Sequence, residues 1–127
     1  MRRSTSNHAT AAFTLVEIMI VVTIIGLLCA LAIPLAMIYQ TQSYARRTLN
    51  DCRQMDSAIN QWAMETGQPD GAAIDTIGAA SYLKRAWITV DLLNNMYNLS
   101  VVGTTQISIN TATKTALTAA NIDWGSY

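Results

Sequence analysis

The chain has 127 residues, which allows one small domain besides a membrane segment. Hydrophobic residues make up 51% of it and charged residues 13%, with eight basic and eight acidic side chains. That balance offers no basic surface for nucleic acid. Its single histidine, His8, and two well-separated cysteines make no zinc site.

Met1–Ala12 is polar, small-residue rich and carries Arg2 and Arg3. A secretory signal peptide would place its apolar run before the small-residue site. Here Ala11-Ala12 comes first and the apolar run follows. Phe13–Pro34 reads FTLVEIMIVVTIIGLLCALAIP, and no charge occurs from Ile18 to Ile38. Those residues span about 31 Å as a helix, enough for a bilayer core. Glu17 breaks the pattern, since a charge at the bilayer centre costs roughly 2.5–3.5 kcal/mol and somewhat less near an end.

Ala12-Phe13-Thr14-Leu15-Val16-Glu17 and the apolar run behind it resemble the amino-terminal signature of type IV pilins and type II secretion pseudopilins. The resemblance implies an α+β fold. A long amino-terminal helix, transmembrane in its first half, packs on a small carboxy-terminal head with a short antiparallel hairpin. It divides the chain into a leader (1–12), a transmembrane half-helix (13–38), a periplasmic half-helix (39–66) and a head (67–127). It further implies cleavage between Ala12 and Phe13 by prepilin peptidase and methylation of the new Phe13 amine. Family members nearly always carry Gly where this chain has Ala12. The implied role of Glu17, with Thr14 beside it, is to meet the Phe13 amine of the next subunit during assembly. Implied partners are the membrane, further copies and other pilin-like subunits, the assembly platform and a separate ATPase, with no nucleic acid. The implied location is the bacterial inner membrane, single-pass, with the head outside the cytoplasm and later in an extracellular or periplasmic filament. A head with only 60 residues beyond Gly67 and no disulfide leans toward a pseudopilin or minor pilin. The rival reading is a monomeric membrane anchor with a partner-binding head.

Within the span, Gly26 costs a helix about 1 kcal/mol against Ala, and Pro34 has no N–H for the carbonyl of Ala30. One reading is a harmless kink; the other is that Gly26–Pro34 melts when subunits pack in a filament.

Beyond Pro34 the helix is expected to continue to about Gly67. Ala45, Leu49, Cys52, Met55, Ile59 and Trp62 form one apolar stripe. Arg47 with Asp51, and Arg53 with Asp56, are placed on the solvated side. Cys29 and Cys52 lie roughly 35 Å apart on this helix and cannot pair; Cys29 faces lipid and Cys52 packs in the head. Gly67-Gln68-Pro69-Asp70-Gly71 ends the helix. Asp75–Leu83 reads as a short helix with Ile77, Ala80 and Leu83 inward.

Tyr97–Val101 and Gln106–Asn110 alternate as two strands. A three-residue loop, Gly103-Thr104-Thr105, sets Val101 opposite Ile107 and Leu99 opposite Ile109, giving one apolar face over the helix stripe. Thr111–Ala120 reads as a strand by its alternating Thr, or as a helix capped by Asn110 with Ala112, Ala116, Leu117 and Ala120 inward; the helix is adopted. Trp124 anchors the tail. No enzyme motif or cofactor site is present. Asp91, Asn94, Asn95 and Asp123 offer oxygens to calcium, without EF-hand spacing.

Overall fold

A computed structural model describes residues 12–127. The expected leader therefore lies, save for Ala12, outside the described residues. The described chain is α+β, with helix α1 (Leu15–Thr66), helix α2 (Thr76–Ala80), strands β1 (Asn98–Leu99) and β2 (Ile107–Ser108), helix α3 (Thr111–Ala116) and a 3-10 turn at Thr118–Ala120. It divides into two compact units between Ala36 and Met37, and α1 contributes to both.

In the first unit every described side chain is exposed. Among the described residues, α1 is the one helix long and apolar enough to cross a membrane. Its apolar residues point all round the helix, so no single face could be buried against a head. The hydroxyl of Thr23 donates to the carbonyl of Met19 at 2.7 Å, so this polar group needs no water. α1 runs through Pro34 without interruption.

In the second unit the stripe on α1 becomes the core floor. Ala45, Cys52, Met55 and Ile59 are fully buried, and Leu49 and Trp62 nearly so. Tyr97, Ile107 and Ile109 close over Leu49, Cys52 and Met55. Val102 and Ala79 close over Ile59, Trp62 and Ala63. Leu117 and Ala120 pack with Ala45, with Trp124 against them. The helix ends as expected: Gly67 takes a φ of 67°, and the amide of Gln68 donates to the carbonyl of Ala63 at 2.8 Å, a Schellman closure.

Several local expectations are corrected. Asp51 is not on the solvated side with Arg47; it is 6% exposed and pairs with Arg85, because its position on α1 lies beside the buried stripe. In α2, Ile77 is exposed, Ala80 is half-buried and Ala79 is the buried residue. α2 can lie on α1 because Gly78 has no side chain: a Cβ there would come within 2.6 Å of Trp62 Nε1.

The hairpin register also differs. Leu99 pairs with Ile107 and Asn98 with Ser108, two residues from the expected pairing. The connection keeps its odd length, so Ile107 and Ile109 still point inward. The slide follows from a competing partner. Gly71 donates to the carbonyl of Val102 at 2.7 Å, Val102 donates to that of Ala72 at 2.9 Å, and Val101 bridges to Ala73. Val102 is thereby buried, while Leu99 and Val101, expected inward, remain 43% and 44% exposed.

In α3, Asn110 caps through a hydrogen bond from the amide of Ala112 at 2.9 Å. Thr113, Leu117 and Ala120 turn inward, while Ala112 and Ala116 are exposed. Thr113 is drawn in by its hydroxyl, which donates to Asp91 Oδ2 and accepts from Asn95 Nδ2 at 2.9 Å.

Candidate functional site

The start of α1 gathers four of the six residues singled out above. Ala12, Phe13 and Thr14 precede the helix, lack regular structure and are exposed, so no described residue covers the Ala12–Phe13 peptide bond. Thr14 is the helix N-cap. Its amide donates to Glu17 Oε2 at 2.8 Å and its hydroxyl donates to the same oxygen at 3.1 Å. The Glu17 amide lies 3.3 Å from Thr14 Oγ1. This is a reciprocal capping box: the first and fourth residues of the turn satisfy each other's free amides. Such a cap contributes about 1 kcal/mol, and the carboxylate also faces the positive end of the helix dipole. Glu17 is thus held by Thr14 and satisfied within its own chain.

The pattern Thr-x-x-Glu before an apolar run carries this geometry in its spacing. Sequence reading by charge alone missed it. Around the box, Phe13, Leu15, Ile18, Met19, Val22 and Thr23 line one open apolar groove.

Gly26 and Pro34 stand apart from this cluster and from each other, eight residues along α1. A Cβ on Gly26 would meet nothing within 4 Å, so packing within the chain does not demand glycine there.

The second unit holds the remaining candidates. Asp91 Oδ1 accepts from the amides of Leu93 and Asn95 at 2.8 and 3.0 Å, and Oδ2 accepts from Thr113. Asn94 turns this loop with a φ of 62°. Asp123 accepts from the amide of Gly125 at 2.9 Å. Asp91 and Asp123 are thus engaged in shaping their own loops, and among the described residues no group of three or more His, Cys, Asp or Glu is placed to hold a metal ion. Cys52 is buried, and burial first, then the charges of Asp51 and Asp56, push its thiol up to about 12. That keeps it protonated and unreactive at neutral pH.

Residues 7–33 match the family model for the prokaryotic N-terminal methylation motif. Two curated relatives, both type IV major fimbrial protein FimA of Dichelobacter nodosus, are 41% identical over 58 residues and 49% identical over 47 residues. These alignments take in 46% and 37% of this chain, and 36% and 30% of the relatives. The chain thus spans about a third of the length of the curated relatives it matches. No solved structure matches the chain significantly. The amino-terminal segment carries a type IV pilin-family signature.

Proposed function

We propose that this chain is a structural, non-catalytic subunit of a type IV pilus-like or type II secretion pseudopilus filament. It is made with a leader ending at Ala12, cut by prepilin peptidase before Phe13 and methylated on the new amine. It waits in the bacterial inner membrane with its head outside the cytoplasm, until an assembly platform driven by a separate ATPase packs its helix among those of other copies. The observation that carries this reading is the methylation motif lying across an exposed Ala12–Phe13 junction and running into a helix with no covered apolar side chain up to Ala36. Apolar surface uncovered on all sides needs lipid or other helices around it. In the filament, the Glu17 carboxylate, already aimed by Thr14, neutralises the Phe13 amine of a neighbour, an α-amine being largely cationic at pH 7. Gly26 and Pro34 give the intervening stretch its capacity to melt.

The capping box also favours the second reading, a monomeric anchor, because it gives Glu17 a use within one chain. Two measurements separate them. Intact mass and amino-terminal sequencing of the membrane fraction should show a chain starting at Phe13 and one methyl group heavier; a chain still starting at Met1 would remove the main support for assembly. In the Glu17→Ala variant the membrane level should hold while filaments disappear. Filaments at wild-type yield would leave Glu17 as a helix cap only.

A further inference from the structure

Between Arg46 and Leu83 the exposed charges fall into a basic group followed by an acidic one. Arg46, Arg47 and Arg53 are all exposed on α1, and Arg46 and Arg53, seven residues apart, share one face. The carboxylates nearest them in sequence are occupied elsewhere: Asp51 is held inward by Arg85, and the partly buried Asp56 accepts from the Tyr127 hydroxyl at 3.4 Å. Among the described residues, Arg85–Asp51 is the only salt bridge. From Ser57 to Leu83 the sign reverses. That stretch carries Glu65, Asp70 and Asp75 and no Lys, Arg or His, and all three carboxylates are exposed. Asp70 sits on the turn closed by the bond from the Ala72 amide to the Pro69 carbonyl at 3.1 Å.

Along α1 the rise from Arg53 to Glu65 is about 18 Å, and from Arg46 to Glu65 about 28 Å. The screening length at physiological salt is about 8 Å, so within one chain the two groups scarcely attract each other. We propose that the acidic end of the unit (Glu65, Asp70, Asp75) docks head to tail on the basic end (Arg46, Arg47, Arg53) of a second copy of this chain. The inference rests on the filament reading above. It adds a surface between the heads of two copies whose helices are staggered by about 18–28 Å, a larger step than the single turn from Phe13 to Glu17, so the copy joined here is a different neighbour from the one joined through Glu17. A contact between two different patches of the same chain is head-to-tail, and where its rotation does not close into a ring it propagates a helical filament.

The test uses the full-length chain in cells that assemble it, with sheared filaments collected by sedimentation. One variant carries Arg46→Glu and Arg53→Glu; the other carries Glu65→Lys and Asp70→Lys. Each alone should yield about tenfold less filament than wild type, because like charges then meet at every contact. Expressed together, the two should restore filaments to within about threefold, because each reversed end now finds its opposite. Glu65 also accepts from Tyr82 at 2.6 Å, so head folding is followed by thermal melting. If the Lys pair melts early, Asp70→Lys alone replaces it, since that exposed side chain makes no hydrogen bond or salt bridge among the described residues. Wild-type yield from both variants, or loss with no rescue on mixing, overturns the pairing while leaving the filament reading intact. So does an arginine variant that assembles normally but loses binding to phosphatidylglycerol vesicles, which would assign the arginines to lipid. No filament from the wild-type chain would fail the filament reading itself, and this interface with it.

Discussion

One helix, α1, is treated in opposite ways along its length. Up to Ala36 it is more apolar, yet the chain covers none of it; from Ala45 to Ala63 it is more polar, yet the head is built on it. The difference is direction. Apolar residues on every side select a solvent, whereas apolar residues on one side select a partner surface. Hydrophobic content alone therefore does not locate the core of this protein, and angular distribution does.

The sharpest way to break the comparison is to cut the same kind of side chain in both places. Met55→Ala should destabilise the head by about 2–5 kcal/mol, and Ile24→Ala should leave it unchanged. Urea unfolding of the full chain in detergent, followed by the fluorescence of Trp62, Trp87 and Trp124, reads both. Equal effects would mean that the first unit supports the head. Glycines give the next contrast. Gly78→Ala drives a Cβ into Trp62 and should cost about 1–3 kcal/mol, while Gly26→Ala meets open space and should strengthen its helix by about 1 kcal/mol. Melting curves and helical circular dichroism separate the two.

Removing Arg85 leaves the Asp51 carboxylate buried without its partner. The Arg85 side chain is 40% exposed, so water screens part of the pair, and Arg85→Ala should cost about 1–2 kcal/mol. The smallest effect concerns pH. Burial raises the Asp56 carboxyl above its ordinary 3.8, against a hydrogen bond from Tyr127 that lowers it. The folded head therefore holds this proton more tightly than the unfolded chain. Its contribution is full below the ordinary value and is lost as pH rises through the folded one. Asp56→Asn should flatten that decline in urea midpoints measured across the acidic range; an unchanged slope would assign it to another group.

The parts legible in the sequence were those written as periodicity or punctuation. The Ala45–Trp62 stripe, the stop at Gly67 and the Asn110 cap each follow from spacing on a single element. The hairpin register did not, because it depends on a third segment: Gly71–Ala73 captures Val101 and Val102, and nothing near Gly103 announces that competition. Asp51 was misplaced for a similar reason. Its partner Arg85 is 34 residues away, whereas Arg47 stands four away at a spacing that usually pairs on a helix surface. At the candidate site the residues are legible, and the Thr14–Glu17 bond is carried by the Thr-x-x-Glu spacing, whereas the cost of a charge in lipid by itself points away from a local use for Glu17 as a cap.

The covered stripe has a mechanical consequence. Its rows of contacts, from Ala45 to Ala63, succeed one another along the axis of α1 over about 27 Å. Tension applied along that axis loads all the rows together, in shear, and the head yields only when many of them slip at once. Tension applied across the axis opens the rows one after another, like a zipper. The same set of contacts is therefore strong against being drawn out lengthwise and weak against being lifted sideways.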